Sequence, residues 1–210
     1  MYSLAMELSD RERVRNLEQR MKLVRAGGNQ RRVLFLDFDG VFNVSYETDS
    51  PEFRKAAEKG NFNFYRSDIV ERLNRLIHEY ELHVVVSSSW RYSGIAFCQQ
   101  SLYEAGFDSD VIIEDITETG ENWAERWKEI LNYTEAHNDL SAILILDDIN
   151  MKVLSPYAVQ TEFYSGYTES CDSNARNILD RQINDTKPKQ IWLGILAAVI
   201  LVLLVYFFLL

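Results

Sequence analysis

Three clusters of polar side chains each follow an apolar run in the chain. Asp37 and Asp39 follow the first run, the serines at 87–89 follow the second, and Asp147 and Asp148 follow the third. In open parallel sheets, ligands bind beyond the carboxyl ends of the strands, which share one edge. We therefore expect the three clusters to converge on one cleft.

Four carboxylates in one cleft predict a metal site. Asp37, Asp39, Asp147 and Asp148 would repel one another strongly in a region of low dielectric constant. A hard divalent cation relieves that repulsion. Mg²⁺ prefers oxygen ligands and keeps several waters, which suits a small carboxylate cluster that also receives a phosphate. The sequence therefore predicts Mg²⁺ as the cofactor, with these four residues as candidate ligands.

The first cluster has the residues that phosphoryl transfer requires. Asp37, at the tip of a predicted strand, is placed to be the nucleophile of an aspartyl-phosphate reaction. Asp39 can protonate the leaving oxygen and later deprotonate the water that breaks the intermediate. Gly40 lets the backbone turn tightly and approach the phosphate.

The phosphate also needs hydrogen-bond donors and a cation. The Ser87 hydroxyl and the backbone N–H groups after it, beginning with Ser88, are candidates to hold phosphate oxygens. A cation from a predicted helix at 121–136 would neutralise the charge that develops on the phosphoryl group. Lys128 and Arg126 are both candidates for this role.

The elements that must position these residues alternate along the chain. Strands are predicted at 33–37, 82–86, 110–116 and 142–146, with helices at 67–80, 93–105 and 121–136, and 153–159 is a strand or a loop. This alternation predicts an α/β fold, a doubly wound parallel sheet with helices on both faces.

A basic amphipathic helix is predicted at 9–26, from a capping-box pattern at Ser9 and Glu12 to a glycine stop at 27–28. Its apolar stripe consists of Val14, Leu17, Met21 and Val24, and its basic residues are Arg11, Arg13, Arg15, Arg20, Lys22 and Arg25. Two interpretations stay open: a helix docked on the domain or loosely extended from it, and a helix that binds a membrane surface or dimerises.

Residues 191–210 carry no charge. Twenty helical residues span about 30 Å, the thickness of a bilayer's hydrocarbon core. A buried core helix and a lipid-anchor processing signal are weaker alternatives. The residues just before the segment are basic, which predicts a single-pass anchor with the domain facing the cytoplasm. These residues are Arg176, Arg181, Lys187 and Lys189. Self-association through this helix or the N-terminal one is a further expectation.

Composition narrows the class of protein. The 210 residues are 47% hydrophobic and 26% charged, which excludes a wholly disordered chain and a polytopic membrane protein. The net charge of −10 disfavours nucleic-acid binding over the whole surface. Two cysteines cannot form a disulfide framework, which favours a reducing compartment.

The motifs resemble those of the haloacid dehalogenase (HAD) superfamily of aspartate-nucleophile phosphohydrolases. The segments 34–41, 84–87 and 144–148 are similar to its first, second and fourth motifs. The segment 87–91, with sequence SSSWR, is similar to a signature of the HAD domain in Swiss army knife RNA-repair proteins, and the resemblance covers roughly residues 32–168.

The resemblance implies roles for individual residues. Asp37 would be the nucleophile and Asp39 the general acid/base. The Asp37 carboxylate, the Asp39 carbonyl oxygen and Asp148 would bind the metal, with Asp147 in or beside its shell. Arg126 fits the spacing of the subfamily, whereas a lysine such as Lys128 is the more usual residue type.

The resemblance also bears on substrate contacts. Apart from the resemblance, Arg91 is a candidate substrate-binding residue. Two interpretations stay open for Trp90 and Arg91: contact with substrate, and packing or ion pairing beneath the second loop. The segment 43–65, where related enzymes carry a cap, is short, so we expect a minimal cap and a fairly open cleft.

We expect four parts: an N-terminal helix at 1–30, a phosphohydrolase domain at 31–170, a linker at 171–190 and a transmembrane anchor at 191–210. The expected function is a membrane-anchored, Mg²⁺-dependent phosphatase. Its phosphorylated substrate is of unknown class. The candidates are a nucleotide, a nucleic-acid terminal phosphate, a phosphoprotein and a lipid headgroup. The alternatives are an inactive adaptor tethered to the membrane, and a phosphotransferase or mutase that shares the aspartyl-phosphate step.

Overall fold

The computed structural model describes residues 2–46, 49–58, 60, 64–120 and 125–185. The expected anchor at 191–210 lies outside these residues. Within the described ranges, no helix is both long enough and apolar enough to cross a bilayer.

A five-stranded sheet forms the centre of the domain. Its strands are β1 (Arg32–Leu36), β2 (Leu82–Val86), β3 (Ile113–Ile116), β4 (Ala142–Asp147) and β5 (Ala158–Gln160). The order across the sheet is β3-β2-β1-β4-β5, and every neighbouring pair is parallel. The expected doubly wound parallel sheet is therefore confirmed.

Six α-helices accompany the sheet in the part of the chain that the structure describes. They are α1 (Tyr2–Ala26), α2 (Pro51–Glu58), α3 (Ser67–Tyr80), α4 (Ile95–Ala105), α5 (Arg126–Ala136) and α6 (Glu169–Asn184). Short 3-10 helices cover Ser89–Ser93 and Lys152–Tyr157.

Two apolar cores cover the two faces of the sheet. Alternate residues of β1 divide between them: Leu34 and Leu36 pack with α3, α4 and α6, whereas Val33 and Phe35 pack with α1, α5 and the second 3-10 helix. The central strands β1 and β4 carry continuous apolar runs, at 33–36 and 142–146, because both of their faces are buried.

The N-terminal helix is docked on the domain. Leu17 and Met21 are each 1% exposed and belong to the core that also contains residues of α5. The Arg13 guanidinium donates to both carboxylate oxygens of Glu135 on α5, at 2.7 Å each. The helix begins at Tyr2, so Ser9 is not its first residue as the capping pattern predicted.

Three further segments differ from expectation. The short cap segment at 43–65, for which no helix was predicted, contains α2. The strand predicted to begin at 110 begins at Ile113. The expected linker at 171–190 is, over most of its described part, the helix α6. Ala175, Leu179 and Gln182 of that helix are buried, and the Gln182 amide bonds both backbone groups of Ile143 in β4. Burial of this face and the amide pairing explain why the segment is ordered on the sheet.

Candidate active site

The hydrogen bonds between neighbouring strands continue to the first residue after β1, β2 and β3, and each of these residues is polar. Asp37 N–H donates to the Leu146 carbonyl (2.9 Å), Ser87 N–H to the Leu36 carbonyl (3.1 Å), and Thr117 N–H to the Val86 carbonyl (3.0 Å). Asp37, Ser87 and Thr117 are therefore fixed side by side at the carboxyl edge of the sheet. This is the edge where the sequence predicted the three clusters to meet.

Arg126 joins the first and last clusters. Its Nη1 lies 2.7 Å from Asp37 Oδ2 and 2.6 Å from Asp147 Oδ2. All three side chains are buried. Arg126 is the first residue of α5, so the start of that helix delivers the cation to the strand ends.

The Asp147 carboxylate is held at both oxygens, since Oδ1 accepts from the Ile149 N–H at 3.0 Å. Burial raises the pKa of Asp147, and repulsion from Asp37 raises it further. Burial opposes the charge on Arg126, but the carboxylates of Asp37 and Asp147 outweigh that effect and raise its pKa.

Asp148 completes a group of three carboxylates. Asp37, Asp147 and Asp148 each offer an oxygen within 4.8 Å of the others. Burial, followed by repulsion from Asp37, raises the pKa of Asp148. One guanidinium cannot neutralise three carboxylates, and the donors are all oxygen, so the group fits a hard divalent cation. These three residues could hold such a metal.

Gly40 brings the first and fourth motifs into contact. Its φ is +71°, and a Cβ added there would lie 2.8 Å from the Asp148 Cβ. Its carbonyl accepts from the Thr161 hydroxyl, beyond β5, at 2.7 Å. Only glycine therefore combines this backbone conformation with the close approach of Asp148.

Both oxygens of Asp39 are hydrogen-bonded. Oδ1 accepts from Asn43 Nδ2 and Oδ2 from Trp90 Nε1, each at 2.7 Å. Burial raises the pKa of Asp39, and these two bonds reduce that rise. A carboxyl that is fixed in orientation and keeps its proton to a higher pH than usual suits a general acid.

The two predicted phosphate-binding serines differ in their surroundings. Ser87 is 0% exposed, and no described residue hydrogen-bonds its hydroxyl. The Ser88 hydroxyl instead accepts from the Trp90 N–H at 3.4 Å and caps the short 3-10 helix. Ser87 therefore has the unused hydroxyl that a phosphate oxygen requires, whereas the Ser88 side chain is occupied within the loop.

Arg91, a candidate substrate-binding residue that could also form ion pairs beneath the second loop, has the second role. It is 4% exposed. Its Nη1 donates to the carbonyls of Ser87 (2.5 Å) and Ser88 (2.6 Å), and its Nε donates to the carbonyl of Thr117 (3.2 Å). Nη2 pairs with the buried carboxylate of Glu129 on α5. Because its donors face these partners, Arg91 positions the loops and does not reach toward substrate.

The Lys128 side chain points away from the carboxylate cluster. Its Nζ lies 2.7 Å from Glu125 and 5.5 Å from the centre of the Trp127 ring. Residues two apart on a helix lie on nearly opposite faces, so Arg126 and Lys128 cannot both face the carboxylates. Of the two candidate cations, the structure brings Arg126 to the cluster.

The sequence did not predict the contacts that several residues of this region make. Asn43 and Trp90 orient Asp39, Glu129 pairs with Arg91, and Thr117 has a buried hydroxyl without a partner among the described residues. The position of Thr117 directly after a strand was an available signal. Nothing in the sequence pairs Glu129 with Arg91, 38 residues away.

Of three comparisons with known proteins, one found a match. No curated protein and no solved structure matches the chain. One family model, described as the HAD domain in Swiss Army Knife RNA repair proteins, matches residues 33–170. That span contains the carboxylate cluster and the five strands except Arg32, the first residue of β1. The match supports a phosphatase-type hydrolase. The chain therefore belongs to the family of HAD domains found in Swiss Army Knife RNA repair proteins.

Proposed function

We propose that this chain is a Mg²⁺-dependent phosphatase that acts through an aspartyl-phosphate intermediate. The observation that carries the proposal is the meeting of Asp37, Asp147 and Asp148, with Arg126 bridging two of them. Asp37, Asp147 and Asp148 would hold the metal, which supplies positive charge that screens the phosphate and lowers the repulsion met by an attacking carboxylate.

Asp37 attacks in the first step. Its Oδ2 is held by Arg126, so we assign the attack to Oδ1. A bond forms between that oxygen and phosphorus while the ester bond breaks, and Asp39 gives its proton to the departing alcohol oxygen. Arg126 stabilises charge on the phosphoryl oxygens, and the Ser87 hydroxyl donates a hydrogen bond to one of them.

Water completes the reaction. Asp39, now ionised, takes a proton from a water molecule whose oxygen attacks the phosphorus of the intermediate. The bond between phosphorus and Asp37 breaks, which releases inorganic phosphate and restores the carboxylate. The bonds from Asn43 and Trp90 hold Asp39 in one orientation for both proton transfers.

The test is phosphate release from small phosphate monoesters, with and without Mg²⁺. We expect wild-type turnover to require the metal and Asp37→Asn to abolish it while the protein stays folded by circular dichroism. Asp110→Asn is the matched control, because Asp110 is 75% exposed on its side chain and precedes β3 at the opposite edge of the sheet. Absence of turnover across metals and pH values would refute the proposal and support the inactive adaptor.

For the substrate, we propose a phosphate monoester at a nucleotide or a nucleic-acid end. The description of the matched family, which names RNA repair, supports this class. A phosphate-release screen across nucleotides, oligonucleotide ends, phosphopeptides and phosphoinositides tests it. A preference for a phosphopeptide or a phosphoinositide would refute it.

We also propose that residues 191–210 anchor the protein, with the domain on the cytoplasmic side. The uncharged composition of the segment supports this, as do the basic residues before it. Because α1 uses Leu17 and Met21 inside the domain core, we assign the proposed self-association to the anchor. Deletion of 191–210 should move the protein from the membrane pellet to the supernatant. A truncated protein that still pellets would refute the anchor and implicate the basic helix α1.

A further inference from the structure

An aromatic pair lies beside the proposed general acid. The ring centres of Trp90 and Phe97 are 5.8 Å apart with an angle of 37° between the planes. Trp90 also contacts Phe38, which is fully buried, at 5.4 Å. Phe97, on α4, is 48% exposed. The pair is thus fixed to the core by Trp90 and presents an aromatic surface to solvent through Phe97.

The proton transfer determines which part of the substrate meets this pair. Asp39 protonates the oxygen of the alcohol that leaves, so the alcohol lies next to Asp39 when the ester bond breaks. Asp39 Oδ2 accepts from Trp90 Nε1 at 2.7 Å. The leaving alcohol is therefore adjacent to the Trp90–Phe97 pair, while the phosphoryl group lies on the other side, toward Arg126 and Ser87.

Single exposed apolar residues are common on protein surfaces, so the exposure of Phe97 alone does not indicate a binding site. Phe97 differs because its ring contacts the residue that orients the general acid. Stacking on aromatic side chains is a recurrent way to hold a planar base, and it requires no positive charge. This agrees with the protein's net charge of −10, which makes broad binding to a phosphate backbone unfavourable.

We propose that the Trp90–Phe97 pair is a stacking platform for a planar ring in the alcohol part of the substrate. The substrate class is then a phosphate monoester whose alcohol carries a heteroaromatic ring, as a nucleoside does. This inference rests on the proposed phosphatase function and adds a specificity determinant to it. Phe97 supplies ring stacking, and Trp90 supplies both stacking and the hydrogen bond that positions Asp39.

The experiment compares adenosine 5′-monophosphate with ribose 5-phosphate, two 5-phosphate esters of ribose that carry adenine and a hydroxyl group, respectively, at C1. The readout is the ratio of their kcat/KM values. We expect the wild-type ratio to favour the nucleotide and Phe97→Leu to lower it about tenfold, which corresponds to about 1.4 kcal/mol. Tyr103→Leu is the matched control, because Tyr103 is a 40% exposed aromatic residue on the same helix. It should leave the ratio unchanged.

Trp90→Phe separates the two roles of Trp90. It keeps an aromatic ring but removes the N–H that binds Asp39, so it should lower kcat for both esters. A phosphorylated dinucleotide in the same assay shows whether a strand end or a free nucleotide is the better source of the ring. A wild-type ratio near one, or a ratio that Phe97→Leu does not change, would overturn the inference.

A binding measurement tests the stacking platform without requiring turnover. Calorimetry on Asp37→Asn, with Mg²⁺ present, should give a dissociation constant for adenosine 5′-monophosphate about tenfold lower than for ribose 5-phosphate. The added change Phe97→Leu should remove that difference. If no ester is hydrolysed, the proposed function fails, and the binding result alone decides whether the platform exists. Equal affinities for the two esters would refute it.

Discussion

Replacement of Arg91 by methionine should destabilise the protein far more than replacement of a surface arginine. The guanidinium is buried against Glu129, whose side chain is 9% exposed. Glu129 Oε1 accepts from the Gly120 N–H at 2.6 Å, so the carboxylate keeps one partner when Arg91 is removed. The carbonyls of Ser87, Ser88 and Thr117 lose their donor at the same time.

The magnitude follows from that loss. Removal of one partner from a buried ion pair costs about 3–5 kcal/mol, because the remaining charge stays buried without compensation. For a domain of this size, about 1 kcal/mol lowers the melting temperature by roughly 2–4 °C. We therefore expect Arg91→Met to lower the melting temperature by roughly 6–20 °C, measured by circular dichroism, and to reduce the free energy of unfolding in urea.

The matched control is Arg75→Met. Arg75 pairs with Glu71 at 3.8 Å, but the two side chains are 61% and 76% exposed. Exposed pairs contribute about 0–1 kcal/mol. The double variant of Arg91→Met and Glu129→Leu removes both buried charges, so its cost should be smaller than the sum of the two single costs by about 1–3 kcal/mol. Additive costs, or an Arg91→Met cost no larger than that of Arg75→Met, would show that the pair is not a buried clamp.

Three further predictions concern the cation, the metal and α1. Arg126→Ala should lower kcat by about 10²–10³-fold, whereas Lys128→Ala should change it by less than about twofold. Equal losses of kcat in the two variants would contradict the assignment of the cation to Arg126. Burial raises the pKa of Asp148 and Asp147, and a metal binds the ionised carboxylates, so the rise in melting temperature caused by Mg²⁺ should increase from about pH 5 to pH 8. Stabilisation by Mg²⁺ that falls with pH would contradict this ligand set. Leu17→Ala should cost about 2–5 kcal/mol in urea unfolding if α1 belongs to the core, and a cost below about 0.5 kcal/mol would mean that α1 is not docked.

The pH dependence has a definite sign for the metal-free protein as well. A carboxyl whose pKa is higher in the folded state than in the unfolded state favours folding at low pH. That stability is lost as the pH rises through the folded-state value. Without metal, Asp147 and Asp148 should therefore destabilise the fold as they ionise, and bound Mg²⁺ should reverse the effect.

Local residue patterns are sufficient to predict the sheet and the edge of it that carries the polar clusters. The apolar runs at 33–36 in β1 and 142–146 in β4 are long enough to be strands, as is the run at 82–86 in β2, which His83 interrupts. Buried strands of this kind are covered on both faces. The acidic and serine clusters follow those runs, so the parallel arrangement placed Asp37, Ser87 and Asp147 at one edge. Local pattern was sufficient because a parallel sheet aligns the carboxyl ends of its strands.

Which side chains face the carboxylates depends on how the helices and loops pack on the sheet. Arg126 and Lys128 are two residues apart and similar in charge, and the rotation of α5 on the sheet selects Arg126. Arg91 has the residue type of a phosphate contact, yet the approach of Glu129 and three carbonyl oxygens makes it a clamp. These outcomes depend on contacts between residues far apart in sequence, and no local pattern of residue types encodes such contacts.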